Sequence, residues 1–525
     1  MSVVPAAGMI GAVVMNEVRV RMRRLSSLVA LMAVVAISWA MVVDPGQGEA
    51  LITVGKRALV YSSAVLAVGS SGLAAILFGL AGFYLVRGRT RDDLICGLGS
   101  VLAATPMRSS VFLFARWLGA AAYLFALMLA LMATMLVVQW VRGVPPLQPL
   151  VYLQTYLLLV LPTLLLVASF AVLCDAYAPL MGKGGDVLYF LFWIGQFTAV
   201  PVEVSKQSGG PGALAAIDIS GLAAVMSRFR QLFNTNSFAI GGNTYDMSLP
   251  PLPLNDFWTG ELIAMRLVCM LVATLPLFVA IALFHRYSPD RVKAVSARKS
   301  FSLLALVNRL LRPATRLVRP LFTVAARLPG IAGQALADAA LTLTASPAAL
   351  VAMLGLFAAG VLASPASLPG VLVAAIACWG ILISDLAVRD YQSSIEAMTA
   401  AVPGGGARRF TRQLMVTALL GYLCTAPILA RWLTQYPLRA AALVTGILAL
   451  SAAASLFGRM TRTGRTFLAL FLFGLYAATQ VKSVAWWDVV GFNGVADMQS
   501  IGAQSVFAVA AAVLGYLYNK RKGNT

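Results

Sequence analysis

Apolar residues run in blocks of about twenty along most of this chain, and polar residues collect in the gaps between them. A block of that length crosses the hydrocarbon core of a bilayer as a helix, because intrahelical hydrogen bonds satisfy the backbone where water is absent. The pattern predicts spans over 25–43, 58–86, 117–140, 150–173, 186–203 and 260–284. It repeats over 348–363, 370–388, 413–431, 440–458, 466–481 and 501–519. The block at 58–86 is longer than a bilayer needs, which predicts a tilted helix or one that continues into the cytoplasm. The expected fold class is all-α: a polytopic membrane helical bundle of about 12 transmembrane helices.

The gaps are not alike. With the N-terminus inside, the cytoplasmic side takes the cluster Arg19, Arg21, Arg23 and Arg24, then Arg87, Arg89, Arg91, Arg108 and Arg116. It also takes the basic stretch from Arg286 to Arg327, then Arg389, Arg408, Arg409 and Arg412, then Arg459, Arg462 and Arg465, and finally Lys520, Arg521 and Lys522. The opposite side keeps few cations, a bias of about three to one that orients the chain with both termini cytoplasmic. The first basic cluster precedes an apolar run with no A-x-A-like cleavage site behind it, so it reads as a retained anchor.

Composition narrows the class further. Hydrophobic residues make up 60% of 525 positions, charged residues 11%, and the mean hydropathy is +0.85. The net charge of +21 lies in loops between apolar blocks, where anionic lipid is its natural partner, and nucleic acid is excluded. The five cysteines are scattered singly and His285 is the only histidine, which argues against a zinc or haem site.

The organisation that follows is a first six-span half over 1–290, a basic linker over 291–329 and a second half over 330–525. The first half carries a long outer loop, about 204–259, rich in Gly, Pro, Ser and Asn; within it Leu222–Phe233 has the apolar spacing of a short surface helix. The linker spaces Arg309, Arg312, Arg316 and Arg319 regularly among leucine and valine, as an amphipathic segment on the cytoplasmic leaflet does. Two anchors recur in order between the halves. Asn16-Glu17 leads to Leu28-Val29-Ala30-Leu31-Met32 as Ala337-Asp338 leads to Leu350-Val351-Ala352-Met353-Leu354. Arg91-Asp92 runs to Thr105-Pro106 as Arg389-Asp390 runs to Val402-Pro403. Six spans per half is an even number, so the repeats are expected to be parallel.

Three features offer function. The pre-span segments Val13–Arg24 and Gln334–Thr344 suit interfacial helices; in the first, Val14, Val18 and Met22 share one face and Glu17, Arg21 and Arg24 another, whereas the second has lost most of its charge. The loop after the second span of each half opens, at Asp92-Asp93, a short charged helix that Pro106 ends. Gly72, Ala75, Gly79 and Gly82 line one face of the second span for close helix packing. Asp175, Asp385, Glu261 and Arg266 lie at span ends, not at midplane as in an ion-coupled carrier. Gly182-Lys183-Gly184-Gly185 and Pro403-Gly404-Gly405-Gly406 do not match a phosphate-cradling loop, and no HExxH or GxSxG occurs. Glu203, Asp218, Asp246 and Asp256 form no carboxylate pair of the kind a lipid-linked-sugar enzyme needs.

Gly82-Phe83-Tyr84-Leu85-Val86-Arg87, Arg91-Asp92, Leu102-Ala103-Ala104-Thr105-Pro106-Met107-Arg108 and Arg116-Trp117-Leu118-Gly119, in this order, resemble the membrane subunits of ABC-2 type transporters. Asn16-Glu17 with its arginines resembles the connecting helix of that family; Leu161-Pro162, Asn236-Ser237-Phe238 and Gly241-Gly242 are similar to larger bacterial members with two fused halves. The resemblance implies a permease of an ATP-driven exporter in the bacterial inner membrane, not itself an enzyme. It would bind no cofactor; ATP and Mg would sit on separate ATPase subunits, two per complex. It implies coupling segments at Arg91, Asp92, Asp93, Thr105, Pro106 and Arg108, and at Arg389, Asp390, Glu396 and Pro403. It places Glu17, Arg19, Arg21 and Asp338 on connecting helices. The second half departs from the pattern in its arginine-poor connecting helix and reduced outer loop. The alternative reading is a 12-span secondary carrier of the major-facilitator type, also two parallel halves.

Overall fold

The computed structural model describes residues 6–42, 44, 46, 48–95, 97–105, 107–199, 217–235, 237–284, 303–393, 395–396, 398, 405–480 and 484–522. Pro106, Pro403, Asn236, His285, the Gly209–Gly212 run and linker positions 291–302 lie outside them. The chain divides into two compact units, Met1–Ser302 and Leu303–Thr525. Among the described residues seven helices are long and apolar enough to cross a membrane, and three bent helix pairs raise the number to as many as ten. The protein is a multi-pass, helical membrane protein. All twelve apolar blocks carry helix in their described residues; those at 186–203 and 466–481 hold Lys183–Ile194 and Gly464–Gln480, which are not among the seven or the bent pairs.

The first unit opens with α1 (Ala6–Met22), which turns 74° into α2 (Leu25–Met41). Ser27 holds this corner: its hydroxyl lies 2.6 Å from the Arg21 carbonyl and 2.8 Å from the Tyr123 hydroxyl. Next come β1 (Glu49–Val54) and β2 (Arg57–Ala58), then α3 (Ser63–Leu77), a π turn at Phe78–Gly82 and α4 (Phe83–Val86). Two short helices follow, α5 (Arg89–Ile95) and α6 (Leu98–Ala104), before the long α7 (Ser109–Arg142). The unit continues through α8 (Pro149–Leu159), α9 (Leu161–Ala176), α10 (Lys183–Ile194), α11 (Leu222–Phe233), β3 (Phe238–Thr244), α12 (Gly260–Ala273) and α13 (Leu275–Leu283).

The long block at 58–86 does not run on as helix past Val86. Its surplus lies at the other end, where Arg57–Ala58 pair as a strand and Ser62 caps α3 by accepting the Val65 N–H. The span itself is the most buried of the seven. Its small residues do the packing expected of them: a methyl group on Gly79 would meet Phe197 and Trp193 at 3.0 Å, and one on Gly82 would meet Leu124 at 3.3 Å. α11 occupies the range that its apolar spacing predicts. The expected all-α fold gains a small antiparallel sheet of order β2-β1-β3, with Val54 paired to both Arg57 and Phe238.

The second unit begins within the linker. A 3₁₀ turn at Arg312–Val318 and α15 (Arg319–Arg327) pack beside α16 (Gly330–Ala345), which turns 104° into α17 (Pro347–Leu362); α14 (Leu303–Leu310), ahead of them, packs on α17. Then follow α18 (Leu368–Ile383), α19 (Arg389–Gln392), α20 (Gly405–Gln435), α21 (Pro437–Thr461), α22 (Gly464–Gln480) and α23 (Met498–Lys522). Trp379 on α18, wholly buried, donates its indole N–H to the Thr417 carbonyl on α20 at 2.9 Å.

Candidate functional site

Charge that the apolar blocks exclude has to be neutralised where it is buried. In the first unit this happens at the foot of α7, where Arg116 points into the protein. Its guanidinium pairs with Asp93 of α5, bonds Thr90 Oγ1 at 3.2 Å and lies 3.5 Å from Glu17 Oε1 of α1. Arg89 of α5 approaches the same Glu17 oxygen at 3.2 Å and Asp93 at 3.6 Å. Arg21 lies 3.4 Å from Glu17 and donates to the Val86 carbonyl, at the end of α4, at 2.7 Å. Asp175, at the end of α9, accepts the backbone N–H groups of Gly88 and Arg89 at 2.9 and 2.8 Å and so caps α5. Arg21, Arg89, Thr90, Arg116 and Asp175, with apolar residues of α7 and α9, line a cavity of about 10 Å³, room for roughly one water.

Glu17 is the hub. It lies on α1, ahead of the apolar block at 25–43, and is 2% exposed. Burial alone would push its carboxyl pKa up; Arg21, Arg116 and Arg89 outweigh that and hold it below the ordinary 4.5. Gly119 on α7 lets α1 come this close, since a methyl group there would stand 2.7 Å from Glu17 Cβ.

This reverses one expectation. An interfacial helix would bury Val14, Val18 and Met22 and leave Glu17, Arg21 and Arg24 outward; instead Glu17 and Arg21 are buried, and Met22 and Arg24 are exposed. The charges on α5 divide as well: Asp93 is buried, whereas Asp92 is partly exposed and pairs with Arg24 at 2.8 Å. Arg91 lies on α5. Thr105 ends α6, donating to the Leu102 carbonyl at 2.8 Å, and exposed Arg108 precedes α7. Arg19 is exposed on α1.

The second unit builds a similar joint with its charges more spread out. Asp338 of α16 lies 3.1 Å from Arg412 Nε of α20 and 4.0 Å from Arg389, which also donates to Thr342 Oγ1 at 3.2 Å. Asp390, mostly buried, approaches Arg409 at 3.7 Å, and Glu396 lies 3.6 Å from both Arg409 and Arg459. The arginine-poor α16 thus keeps a carboxylate, Asp338, in the place where α1 has Glu17.

Three pairings were not read from the sequence. Arg116 and Arg412 have no partner in the sequence reading, although each interrupts the start of an apolar helix and so needs one. Arg87, after α4, pairs with Asp186 of α10 and donates to the Gly182 carbonyl at 3.0 Å. Two Asp-x-x-Gly turns were also overlooked. Asp218 accepts the N–H groups of Gly221 and Ala224 at 3.1 and 3.0 Å; Asp488 accepts those of Asn493 and Val495 at 3.1 and 3.2 Å. Gly221 and Gly491 both have positive φ, 76° and 74°. Each turn is clamped by an arginine: Arg266 reaches the Asp218 and Ile219 carbonyls at 2.5 and 3.1 Å, Arg439 those of Gly491 and Phe492 at 2.8 and 2.7 Å. Comparison with protein-family models, with curated proteins and with solved structures finds no match to this chain.

Proposed function

We propose that the chain is the membrane-spanning permease subunit of an ATP-driven exporter of the ABC-2 type. In this reading twelve spans form two parallel six-span repeats in a bacterial inner membrane, with both termini cytoplasmic. The observation that carries it is the shared joint. In each unit a carboxylate on the bent pre-span helix lies between an arginine that follows the second span and one near the foot of the third helix. Glu17 has Arg89 and Arg116; Asp338 has Arg389 and Arg412. The paired Asp-x-x-Gly turns, Asp218 to Gly221 and Asp488 to Gly491, support the same duplication.

Buried ion pairs add little net stability, and their better-attested use is to fix one arrangement of parts. A push on α5 and α6 would therefore pass through Asp93 and Arg89 to α7 and α1 together. The chain has no phosphate-binding loop of its own, so ATP and Mg belong to a partner ATPase. Contact with that partner falls to the exposed groups, Asp92, Leu98, Val101 and Arg108, and not to Asp93 or Asp390, which turn inward.

The test is purification of the full chain from its native membrane, with and without Val101→Asp and Arg108→Glu. A P-loop ATPase that accompanies the wild type and is lost from the variant, with equal membrane insertion, is the expected result. Solute movement driven by an ion gradient in liposomes of the chain alone, without nucleotide, would overturn the reading and favour a secondary carrier.

A further inference from the structure

The segment from α14 to α15 presents three different stripes, and only one environment suits all of them. Arg309, Arg312, Arg316 and Arg319 recur every three or four residues through α14, the 3₁₀ turn and the start of α15, and all four are exposed. Leu310, Leu317 and Val324 recur every seven and are exposed too, Leu310 by 70% and Leu317 by 66%. Val318 and Ala325, again seven apart, are buried against the rest of the unit. Asn308 ties the segment down: its side-chain oxygen accepts the Ala348 N–H at 2.9 Å, at the start of α17.

Water would suit the arginines but leave leucines exposed. Hydrocarbon would suit the leucines and strand the arginines. The boundary between headgroups and acyl chains satisfies both, with leucine and valine inserted and guanidinium groups held at phosphate depth. No Asp or Glu occurs from position 291 to 337, and none of the four arginines has a carboxylate partner among the described residues. A planar guanidinium fits a phosphate with two parallel hydrogen bonds.

We infer that this segment is a binding surface for anionic phospholipid of the leaflet it faces, read by the arginine stripe and seated by Leu310, Leu317 and Val324. The inference rests on the inside-positive orientation for which leaflet it is, and on the α14–α15 geometry for the rest. Lipid composition would then act on the second unit directly through α17, to which Asn308 is bonded.

The experiment uses the full chain in nanodiscs of phosphatidylcholine doped with phosphatidylglycerol, the lipids retained per chain being counted by native mass spectrometry. Wild type should keep phosphatidylglycerol preferentially. Joint replacement of Arg309, Arg312, Arg316 and Arg319 by Gln should lower that retention several-fold, and replacement of all four by Lys should recover part of it. A probe on Leu317→Cys should be quenched by brominated lipid and shielded from aqueous iodide; this readout stands even if the Gln variant folds poorly. Equal retention of both lipids by every variant, or a Leu317→Cys probe open to iodide and blind to bromolipid, would overturn the inference, as would binding of the stripe to nucleic acid in preference to lipid. Labelling of Thr323→Cys by an impermeant maleimide in intact cells would refute the orientation alone and leave the lipid result standing.

Discussion

Glu17 and Arg89 stand 72 residues apart in the chain, and their side chains meet at 3.2 Å. In the second unit Asp338 lies 4.0 Å from Arg389 and 3.1 Å from Arg412, but Asp338 remains partly open to solvent and Glu17 does not. Removing one partner from a buried cluster strands the other charges, at a cost of about 3–5 kcal/mol, whereas a solvent-exposed pair is worth about 0–1 kcal/mol. Glu17→Gln should therefore lower the thermal midpoint of the detergent-solubilised protein clearly, and Asp338→Asn only slightly. Equal shifts would contradict the difference in burial.

The pH dependence has a definite sign. Because the Glu17 carboxyl is held below its ordinary 4.5, its contribution is fully present above that value and is lost as pH falls through the depressed pKa. The gap in thermal midpoint between wild type and Glu17→Gln should be constant from neutral pH down to the ordinary carboxylate range and close below it. A gap that widens on acidification would contradict the ion-pair assignment.

Two glycines open the fifth apolar block of their units in matching ways. A methyl group on Gly185 would collide with the Leu180 carbonyl and the Arg87 guanidinium; one on Gly464 would collide with the Ser384 carbonyl and Asp385. Beside Gly185, Asp186 pairs with Arg87. Gly185→Ala and Gly464→Ala should each destabilise by roughly 1–3 kcal/mol, the usual cost of overpacking, as read by thermal denaturation. Arg87→Asp should lower folded yield, and Arg87→Asp with Asp186→Arg should restore part of it.

Asp218 and Asp488 hold their turns through hydrogen bonds from backbone N–H groups to a buried carboxylate, a class of bond worth about 1.5–3 kcal/mol. Asp218→Ala and Asp488→Ala should each expose the adjoining loop to added protease, and the Asn variants less so. Digestion patterns identical to wild type would mean that the arginine clamps alone suffice.

Periodicity along the chain reports which segments are helical, and it placed α11 and the apolar blocks well, because burial and spacing are local properties. It does not report what a charged side chain meets. α1 looked like a helix with its charges toward water because Arg89 and Arg116, the partners of Glu17, arrive from remote positions. The sheet was legible but passed over: Val54-Gly55-Lys56-Arg57 is a two-residue hairpin turn with Gly55 at φ 61°, set between β-forming residues. Asp93 and Asp390, expected in segments that contact an ATPase, both face inward, and only packing could show that.

The wide turn at Phe78–Gly82 has a mechanical corollary. Each residue added to a helix swings everything beyond it by about 100°. The turn also frees a carbonyl from the regular ladder, and the Tyr189 hydroxyl takes up that of Gly79. The rod therefore has a phase step partway along it: its small-residue stretch is aligned with Trp193 and Phe197, and its basic end is aimed separately at Asp186. A single codon lost between those limits would leave the hydrophobic length nearly unchanged and yet point Arg87 at the wrong neighbour.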